Sequence, residues 1–205
     1  MQKLSIQETK NIRYLISNWT IESWIFLDKV WLVCEYQKYY DKMFDENPNI
    51  SYILMLWWWA FAYPTYYVNK YENKAIDVVE CDIDIIQIAK DSFNLVEWNR
   101  LKVITQDAQE YINTTDKIYD AILNDLFIWN IPESAFAKED LLIKTKQRLT
   151  QWWIYMTNIL TDFNDTEFLN EVTNSLLKVF GNIKLLRVKM SYWLQNVIAL
   201  CKKTF

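Results

Sequence analysis

The chain has 205 residues, 52% hydrophobic and 23% charged, a composition typical of one globular domain with a sizeable core. Its formal net charge of −4 argues against a nucleic-acid-binding surface. Because the sequence contains no histidine, imidazole catalysis and histidine metal ligation are excluded. The cysteines Cys34, Cys81 and Cys201 lack CxxC spacing, so neither a disulfide framework nor a zinc site is indicated.

The N-terminal residues 1–32 are predicted to form a small β region, separate from an α/β domain over residues 33–205. Its short β-like pieces are Leu4–Gln7, Ile12–Ser17 and Ser23–Leu27. The segment Val33–Phe44 is predicted to be an amphipathic helix with one apolar face, formed by Val33, Tyr36, Tyr40 and Met43. The longest apolar run, around residues 53–63, is too short to span a bilayer, and no secretory signal is apparent. A cytoplasmic protein without membrane or nucleic-acid partners is expected.

A βαβ unit occupies the centre of this prediction. It consists of a buried strand at Ile53–Leu56, a helix at Thr65–Tyr71, and a second strand at Ala75–Val79 that ends on Glu80. Doubly wound sheets hold their ligands beyond the carboxyl ends of such strands. Glycines are expected in the first turn of a cofactor site, since they let the backbone approach the ligand. This turn instead reads Trp57-Trp58-Trp59.

Strands and helices then alternate to the end of the chain, which predicts an α/β fold: a three-layer, doubly wound, mostly parallel sheet. Further strands are expected at 101–105, 118–124 and 154–159, and helices at 82–93, 138–149 and 165–180. Asp82 is the expected N-cap of the first of these helices, and Gly181 the C-cap of the last. The final strands, 183–188 and 193–201, are separated by a turn and should be antiparallel.

Carboxylates terminate three successive predicted strands: Glu80, Asp107 and Asp125. Their side chains are expected to point into one crevice at the carboxyl edge of the sheet. Glu80 follows the first turn by about 20 residues, the offset at which an acid accepts hydrogen bonds from ribose hydroxyls. Asp107 could accept a hydrogen bond from an adenine amino group, and Asp125 lies where a substrate would sit.

Several segments, in order, resemble the spermidine synthase family of class I S-adenosylmethionine-dependent transferases. Glu80–Lys90 is similar to the family's E-I-D-x-x-V-I-x-x-A-K segment. The other matching segments are Tyr36-Gln37, Gln106-Asp107-Ala108, Tyr119–Asp125 and Leu149–Ile154. Together they cover approximately residues 30–203.

The resemblance implies a seven-stranded Rossmann-like methyltransferase sheet with its last strand antiparallel. It also implies S-adenosylmethionine or its decarboxylated form as cofactor, a small-molecule substrate such as a polyamine, and a homodimer. The cofactor side would include Gln37, Trp57, Trp58, Trp59, Glu80, Cys81, Asp107 and Ala108. Tyr36 and Asp125 would serve the attacking nucleophile, since transfer from a sulfonium needs an aligned nucleophile and a base.

The sequence also departs from the family pattern, so a resemblance to the family does not by itself imply that the chain is active. Trp57–Trp59 replaces the family's G-G-G, Trp152-Trp153 replaces a second glycine pair, and Ile128 stands where spermidine synthases carry a second acid. The expected activity is therefore transfer of an aminopropyl or methyl group to a small amine or other acceptor. The alternative is a non-catalytic protein of the same fold with a blocked pocket, acting as scaffold or dimerisation partner. An NAD-dependent oxidoreductase fits the Glu80–Lys90 segment less well.

Overall fold

A computed structural model of the chain describes residues 4–17, 20–56, 60–128, 131–132, 138–162, 167–188 and 194–203. Its β-strands, numbered in chain order, are β1 Leu4–Glu8, β2 Ile12–Ser17, β3 Thr20–Phe26, β4 Tyr52–Leu56, β5 Ala75–Glu80, β6 Leu101–Thr105, β7 Tyr119–Asn124, β8 Phe127–Ile128, β9 Ile131–Pro132, β10 Leu149–Asp162, β11 Lys184–Arg187 and β12 Leu194–Lys202. The helices are a 3₁₀-helix at Tyr36–Lys42 followed by α1 Met43–Glu46, α2 Ala62–Lys70, α3 Ile83–Ser92, α4 Ala108–Thr114, α5 Glu139–Gln147 and α6 Glu167–Phe180.

The main sheet has seven strands in the order β11-β12-β10-β7-β4-β5-β6. The strands from β10 to β6 pair in parallel, whereas β12 runs antiparallel to both β10 and β11. Parallel neighbours require crossover connections, and the helices supply them. The predicted mostly parallel sheet with an antiparallel last strand is confirmed.

Helices cover both faces of this sheet. Alternate residues of its central strands point to opposite sides, and the apolar side chains on each side pack against a helical layer. In β4, Ile53 and Met55 pack with the side that carries the 3₁₀-helix, α1, α2 and α3, and Leu54 and Leu56 pack with the side that carries α4, α5 and α6. The side chains predicted to be buried in the parallel strands are all at most 1% exposed: Leu54, Leu56, Val78, Val79, Ile122 and Leu123. The fold is therefore the predicted three-layer sandwich.

The N-terminal β region is a separate antiparallel sheet of three strands, β1-β2-β3. Leu15 of β2 and Ile25 of β3 join the same apolar cluster as α2 and α3. A guanidinium nitrogen of Arg13 also donates to the backbone carbonyl of Ser92 at the end of α3. These contacts attach the small sheet to one face of the main one.

The helix predicted over Val33–Phe44 needs correction, because it starts at Tyr36 and is 3₁₀ over its first seven residues. A 3₁₀-helix has three residues per turn, so every third side chain lies on the same face. Gln37, Tyr40 and Met43 follow that spacing and are each at most 1% exposed. The predicted α-helical face, with Val33 as its first member, missed the burial of Gln37.

Other element boundaries also moved. Helix α2 begins at Ala62 rather than Thr65, because the Thr65 amide already donates to the Phe61 carbonyl at 3.1 Å. Ala60 and Phe61, just before it, have left-handed backbone with φ of 32° and 56°. Strand β10 starts at Leu149, five residues before the predicted Ile154, and its pairing with β7 shifts register between those two residues. The regular part is the segment that was predicted.

The sequence of helix α6 predicts a buried stripe of Phe168, Val172, Leu176 and Phe180. Its buried residues are Leu169, Val172, Leu176 and Phe180, so Leu169 takes the place expected for the half-buried Phe168. The predicted first residue, Asp165, and Asn164, which was expected to form a capping box with Glu167, lie outside the described residues. None of the helices in the described part of the chain is long and apolar enough to cross a bilayer.

Gly181 occupies the predicted C-cap of α6, with φ of 84° and its amide 2.9 Å from the Leu177 carbonyl. Apart from its chain neighbours, no described residue has an atom within 4 Å of the position a Cβ would take. Gly181→Ala should therefore lower the free energy of unfolding by about 1–2 kcal/mol through backbone strain alone. Gly181→Asn should lose less, because asparagine tolerates this conformation. Urea denaturation of the three proteins measures the difference, and equal stability of the alanine variant would contradict the left-handed cap.

Candidate functional site

The candidate site lies where strands β5, β4 and β7 end side by side. Leu56, the last residue of β4, pairs with Val79 of β5 and Asn124 of β7. The next residues, Glu80 and Asp125, therefore stand at the same level on either side of β4. Two strand spacings separate their backbones by about 10 Å. Trp57–Trp59, which follows Leu56, lies outside the described residues.

Side-chain alternation directs both acids to the same face of the sheet. Met55, Val78 and Leu123 pack on the face that carries the 3₁₀-helix. Glu80 and Asp125 each lie two positions after one of these residues, so strand geometry directs them toward that layer. Both are buried, with exposures of 2% and 4%.

Asp125 is buried beside the 3₁₀-helix and β10. Its Oδ1 atom accepts a hydrogen bond of 2.8 Å from Asn158 Nδ2, whereas its Oδ2 atom is buried without a hydrogen-bond partner in the described part of the chain. Burial raises the pKa of Asp125 to about 6, while Asn158 and the facing phenols of Tyr36 and Tyr40 oppose this rise. A carboxyl that titrates near neutral pH with one unused acceptor atom can accept a proton.

The 3₁₀-helix contributes the polar groups opposite Asp125. Burial and the nearby Asp125 carboxylate raise the pKa of Tyr36 well above its usual value, so its phenol stays neutral. The side-chain amide of Gln37 donates to the Tyr36 hydroxyl at 3.5 Å, the long end of the range. The Oε1 atom of Gln37 has no partner among the described residues. The structure thus brings the predicted residues Tyr36, Gln37 and Asp125 together.

Glu80 forms the other half of the site. Its Oε1 atom accepts a hydrogen bond of 2.8 Å from the Asp82 amide, while its Oε2 atom is buried and unpartnered among the described residues. Burial raises the pKa of Glu80 to about 8 despite that hydrogen bond. The neighbouring Cys81 is exposed. Partial desolvation, together with the Glu80 carboxylate, raises the pKa of Cys81 to about 11, so its thiol is neutral at pH 7.

Asp107, the third strand-end acid, does not share the buried environment of Glu80 and Asp125. It is exposed, and it caps α4 by accepting a hydrogen bond of 2.9 Å from the Glu110 amide. Ala108 follows it as the first residue of α4 and is buried. A polar residue between a strand and a helix can cap the helix as well as bind a ligand. The cap accounts for its position.

The sequence analysis did not single out three polar residues around Asp125 as part of the site. Tyr40 was placed on the apolar face of the predicted helix, yet its hydroxyl is buried without a partner among the described residues. Asn158 of β10 borders Asp125, and Asn196 of β12 borders Asn158; both are buried amides. Their places within predicted strands were the available signal, because a buried amide is retained only where it finds partners.

Besides the Tyr40 hydroxyl, three side-chain oxygens of this site have no partner among the described residues. Glu80 Oε2, Asp125 Oδ2 and Gln37 Oε1 are all hydrogen-bond acceptors. A ligand with hydroxyl and amino donors would satisfy them. The described residues include no group of three Cys, Asp or Glu side chains placed to hold a metal ion.

Comparison with known families agrees with the fold. Residues 64–204 match the spermine/spermidine synthase domain family. The match covers well over half of the chain, so the protein belongs to this family. A search of curated protein sequences found no match.

Solved structures of the same fold extend over the N-terminal sheet as well. A probable spermidine synthase from Corynebacterium glutamicum superimposes with a TM-score of 0.88 at 17% identity, covering 99% of this chain and 77% of the other. A spermidine synthase in complex with the transition-state analogue AdoDATO gives 0.77 at 14% identity, covering 100% and 70%. Human methyltransferase-like protein 13 in complex with SAH gives 0.69 at 20% identity, covering 82% of each chain. At these identities the likeness establishes the fold alone.

The burial of Glu80 makes its titration measurable as stability. Its pKa is raised from 4.5 to about 8 in the folded protein. The folded state therefore binds this proton more tightly, and the contribution of Glu80 to stability falls as pH rises from 4.5 to 8. Glu80→Gln should become progressively more stable relative to the parent across that window and level off above it. Urea unfolding at a series of pH values measures this difference, and a difference independent of pH would contradict the raised pKa.

Proposed function

We propose that the protein transfers an aminopropyl or methyl group from S-adenosylmethionine, or its decarboxylated form, to a small amine or other acceptor. One observation carries this proposal. Glu80 and Asp125 flank the end of β4 on one face of the sheet, each buried and each with an oxygen that no described residue satisfies. A transferase needs two such positions, one for the cofactor and one for the nucleophile.

The cofactor would be held on the Glu80 side. Glu80 Oε2, which has no partner among the described residues, could accept a hydrogen bond from a ribose hydroxyl. Gln37 Oε1 could accept a second hydrogen bond, closer to where the amine substrate would bind. The adenine would be expected at the same edge of the sheet. Cys81 follows Glu80 there, and Asp107 and Ala108 follow β6. The sulfonium of the cofactor supplies an activated alkyl group, so the protein has to orient it and keep the nucleophile deprotonated.

Asp125 is the base in this proposal. Its pKa of about 6 leaves it mostly ionised near neutral pH while it can still accept a proton from an amine. The neutral phenol of Tyr36 faces the same carboxylate and can donate a hydrogen bond. The two side chains would hold an amine nitrogen between them and direct its lone pair toward the cofactor side.

Relatives with the same fold support an adenosyl cofactor. The human methyltransferase-like protein 13 structure contains SAH, and one spermidine synthase structure contains the analogue AdoDATO. Ile128 stands where the family carries a second acid. We therefore favour an acceptor with one amino group to be recognised over a polyamine anchored at both ends.

Asp125→Asn should lower turnover by roughly 10²–10⁴-fold, the usual worth of a positioned base, while leaving cofactor affinity unchanged. In the parent protein the rate should rise with pH through about 6, because burial raises the pKa of Asp125 to that value. The assay would follow methylthioadenosine or S-adenosylhomocysteine release with a panel of amines. The matched control is Asp91→Asn, an exposed acid on α3. Equal loss in both variants, or none in the first, would remove Asp125 from the mechanism.

The tryptophans after β4 provide the test of cofactor binding itself. Overpacking of about 1–3 kcal/mol corresponds to roughly 5- to 150-fold in affinity. Replacing Trp57, Trp58 and Trp59 together by glycine should therefore strengthen S-adenosylmethionine binding by that factor. The Ala60-Phe61 pair that follows already has the left-handed backbone that glycine favours.

Calorimetric titration with S-adenosylmethionine, its decarboxylated form and methylthioadenosine would compare the parent with this triple variant. Trp98→Gly is the control, because Trp98 is 46% exposed and lies next to Arg100, away from β4. Unchanged affinity in the triple variant would show that the 57–59 turn is not the cofactor loop. Binding in neither protein would instead favour the non-catalytic scaffold.

A further inference from the structure

Asp125 stands at the end of a line of buried amides that crosses two strands. Asn196 Nδ2 of β12 donates to Asn158 Oδ1 of β10 at 2.9 Å. Asn158 Nδ2 in turn donates to Asp125 Oδ1 at 2.8 Å. All three side chains are buried, at 6%, 4% and 4% exposure. The line starts on the antiparallel strand of the sheet and ends at the proposed base.

Strand register accounts for these contacts. Asn196 pairs with Leu160 in the antiparallel ladder of β12 and β10, so Asn158 is its diagonal neighbour. Thr157 pairs with Asn124 in the parallel ladder of β10 and β7, which places Asn158 beside Asp125. Asn196 is therefore connected to Asp125 through Asn158 alone, without any loop residue between them.

The chemistry of the acid sets the direction of the line. An ionised carboxylate only accepts hydrogen bonds, so Asn158 has to present its NH₂ group to Asp125. Its carbonyl oxygen then faces Asn196, which has to present an NH₂ group in turn. An amide without these partners would be costly among Val197, Ile198 and Ala199, which are fully buried.

We infer that Asn196, acting through Asn158, is a positioning residue that holds Asp125 with one oxygen occupied and the other free for the acceptor. This inference rests on the proposed function for the role of Asp125, but the hydrogen-bonded line itself does not. Oδ1 is the bound atom and Oδ2 has no partner among the described residues. We call this hydrogen-bonded line of Asn196, Asn158 and Asp125 the relay. It determines which oxygen of Asp125 meets the nucleophile, although Asn196 lies on β12 and Asp125 follows β7.

Other titratable groups face Asp125 from the opposite side, and a variant that tests the relay has to leave them unchanged. Tyr36 and Tyr40 of the 3₁₀-helix face its carboxylate, and the buried Cys34 lies within its electrostatic reach. None of them is altered by a change at Asn196. An altered titration of Asp125 in an Asn196 variant would therefore report the relay.

The decisive variant is Asn196→Leu, which keeps the size of the side chain and removes the donor. Asn158→Leu should raise the titration midpoint of Asp125 by about one pH unit, because it removes a hydrogen bond to the charged form. Asn196→Leu should raise the midpoint by about half a unit, because Asn158 then loses the partner that orients its NH₂ group toward Asp125. Carboxyl ¹³C NMR of the full-length protein measures the midpoint without substrate. In turnover assays, kcat should fall roughly tenfold with the KM for S-adenosylmethionine unchanged.

Gln195→Leu is the matched control, because Gln195 is a buried amide on the same strand that bonds Arg187 and the Val188 carbonyl instead. It should leave the Asp125 midpoint and the kcat to KM split unchanged. If Asn196→Leu does not fold, Asn196→Ser removes the same donor with a smaller polar side chain. An Asp125 midpoint that does not move in either Asn196 variant would overturn the relay. Absence of turnover in the parent protein would overturn the proposed function alone, because the NMR midpoint still tests the relay.

Discussion

The parallel register of β5, β4 and β7 is the constraint on which the site depends. The amide of Asp125 donates to the Leu56 carbonyl at 2.9 Å, so the β4–β7 ladder continues one residue beyond Asn124. A shift of one residue would turn every side chain of a strand to the opposite face. Asp125 would then point toward α4, α5 and α6, away from Tyr36. The position of the acid relative to the 3₁₀-helix is therefore a property of the sheet.

Two carboxylates at the other end of the same strands hold this register. Asp77 of β5 accepts hydrogen bonds from the hydroxyls of Tyr52 in β4 and Tyr119 in β7, at 2.6 and 3.0 Å. Asp120 of β7 accepts from the amides of Ser51 and Tyr52 at 2.9 and 3.0 Å. Lys117 adds an ion pair of 2.7 Å to the buried Asp77. A buried network with its partners satisfied favours one arrangement of the strands over its neighbours, so acids at one edge of the sheet align the acids at the other.

The sequence was most informative where structure is local or where strands are buried on both faces. Continuous apolar runs predicted β4, β5 and β7, and strand ends predicted the places of Glu80 and Asp125. It could not predict that Asp107 would cap α4, because the same residue type serves a cap and a ligand site. The burial of Gln37 on the same face as Tyr40 was not predicted, because the period of a 3₁₀-helix differs from that of an α-helix. Asn158 and Asn196 could not be paired in advance, because their contact depends on the register of strands far apart in sequence.

Glu80 and Asp125 lie in similar buried environments, and these environments link ligand binding to proton release. Each is buried, each has one satisfied oxygen, and each has a pKa raised by desolvation. Burial of this kind opposes folding, and perturbed carboxyls of this kind cluster at functional sites. A ligand that donates hydrogen bonds to either acid stabilises its ionised form and lowers its pKa. Ligand binding and proton release are then coupled, and the desolvation that opposed folding becomes a preference for ligands that carry donors.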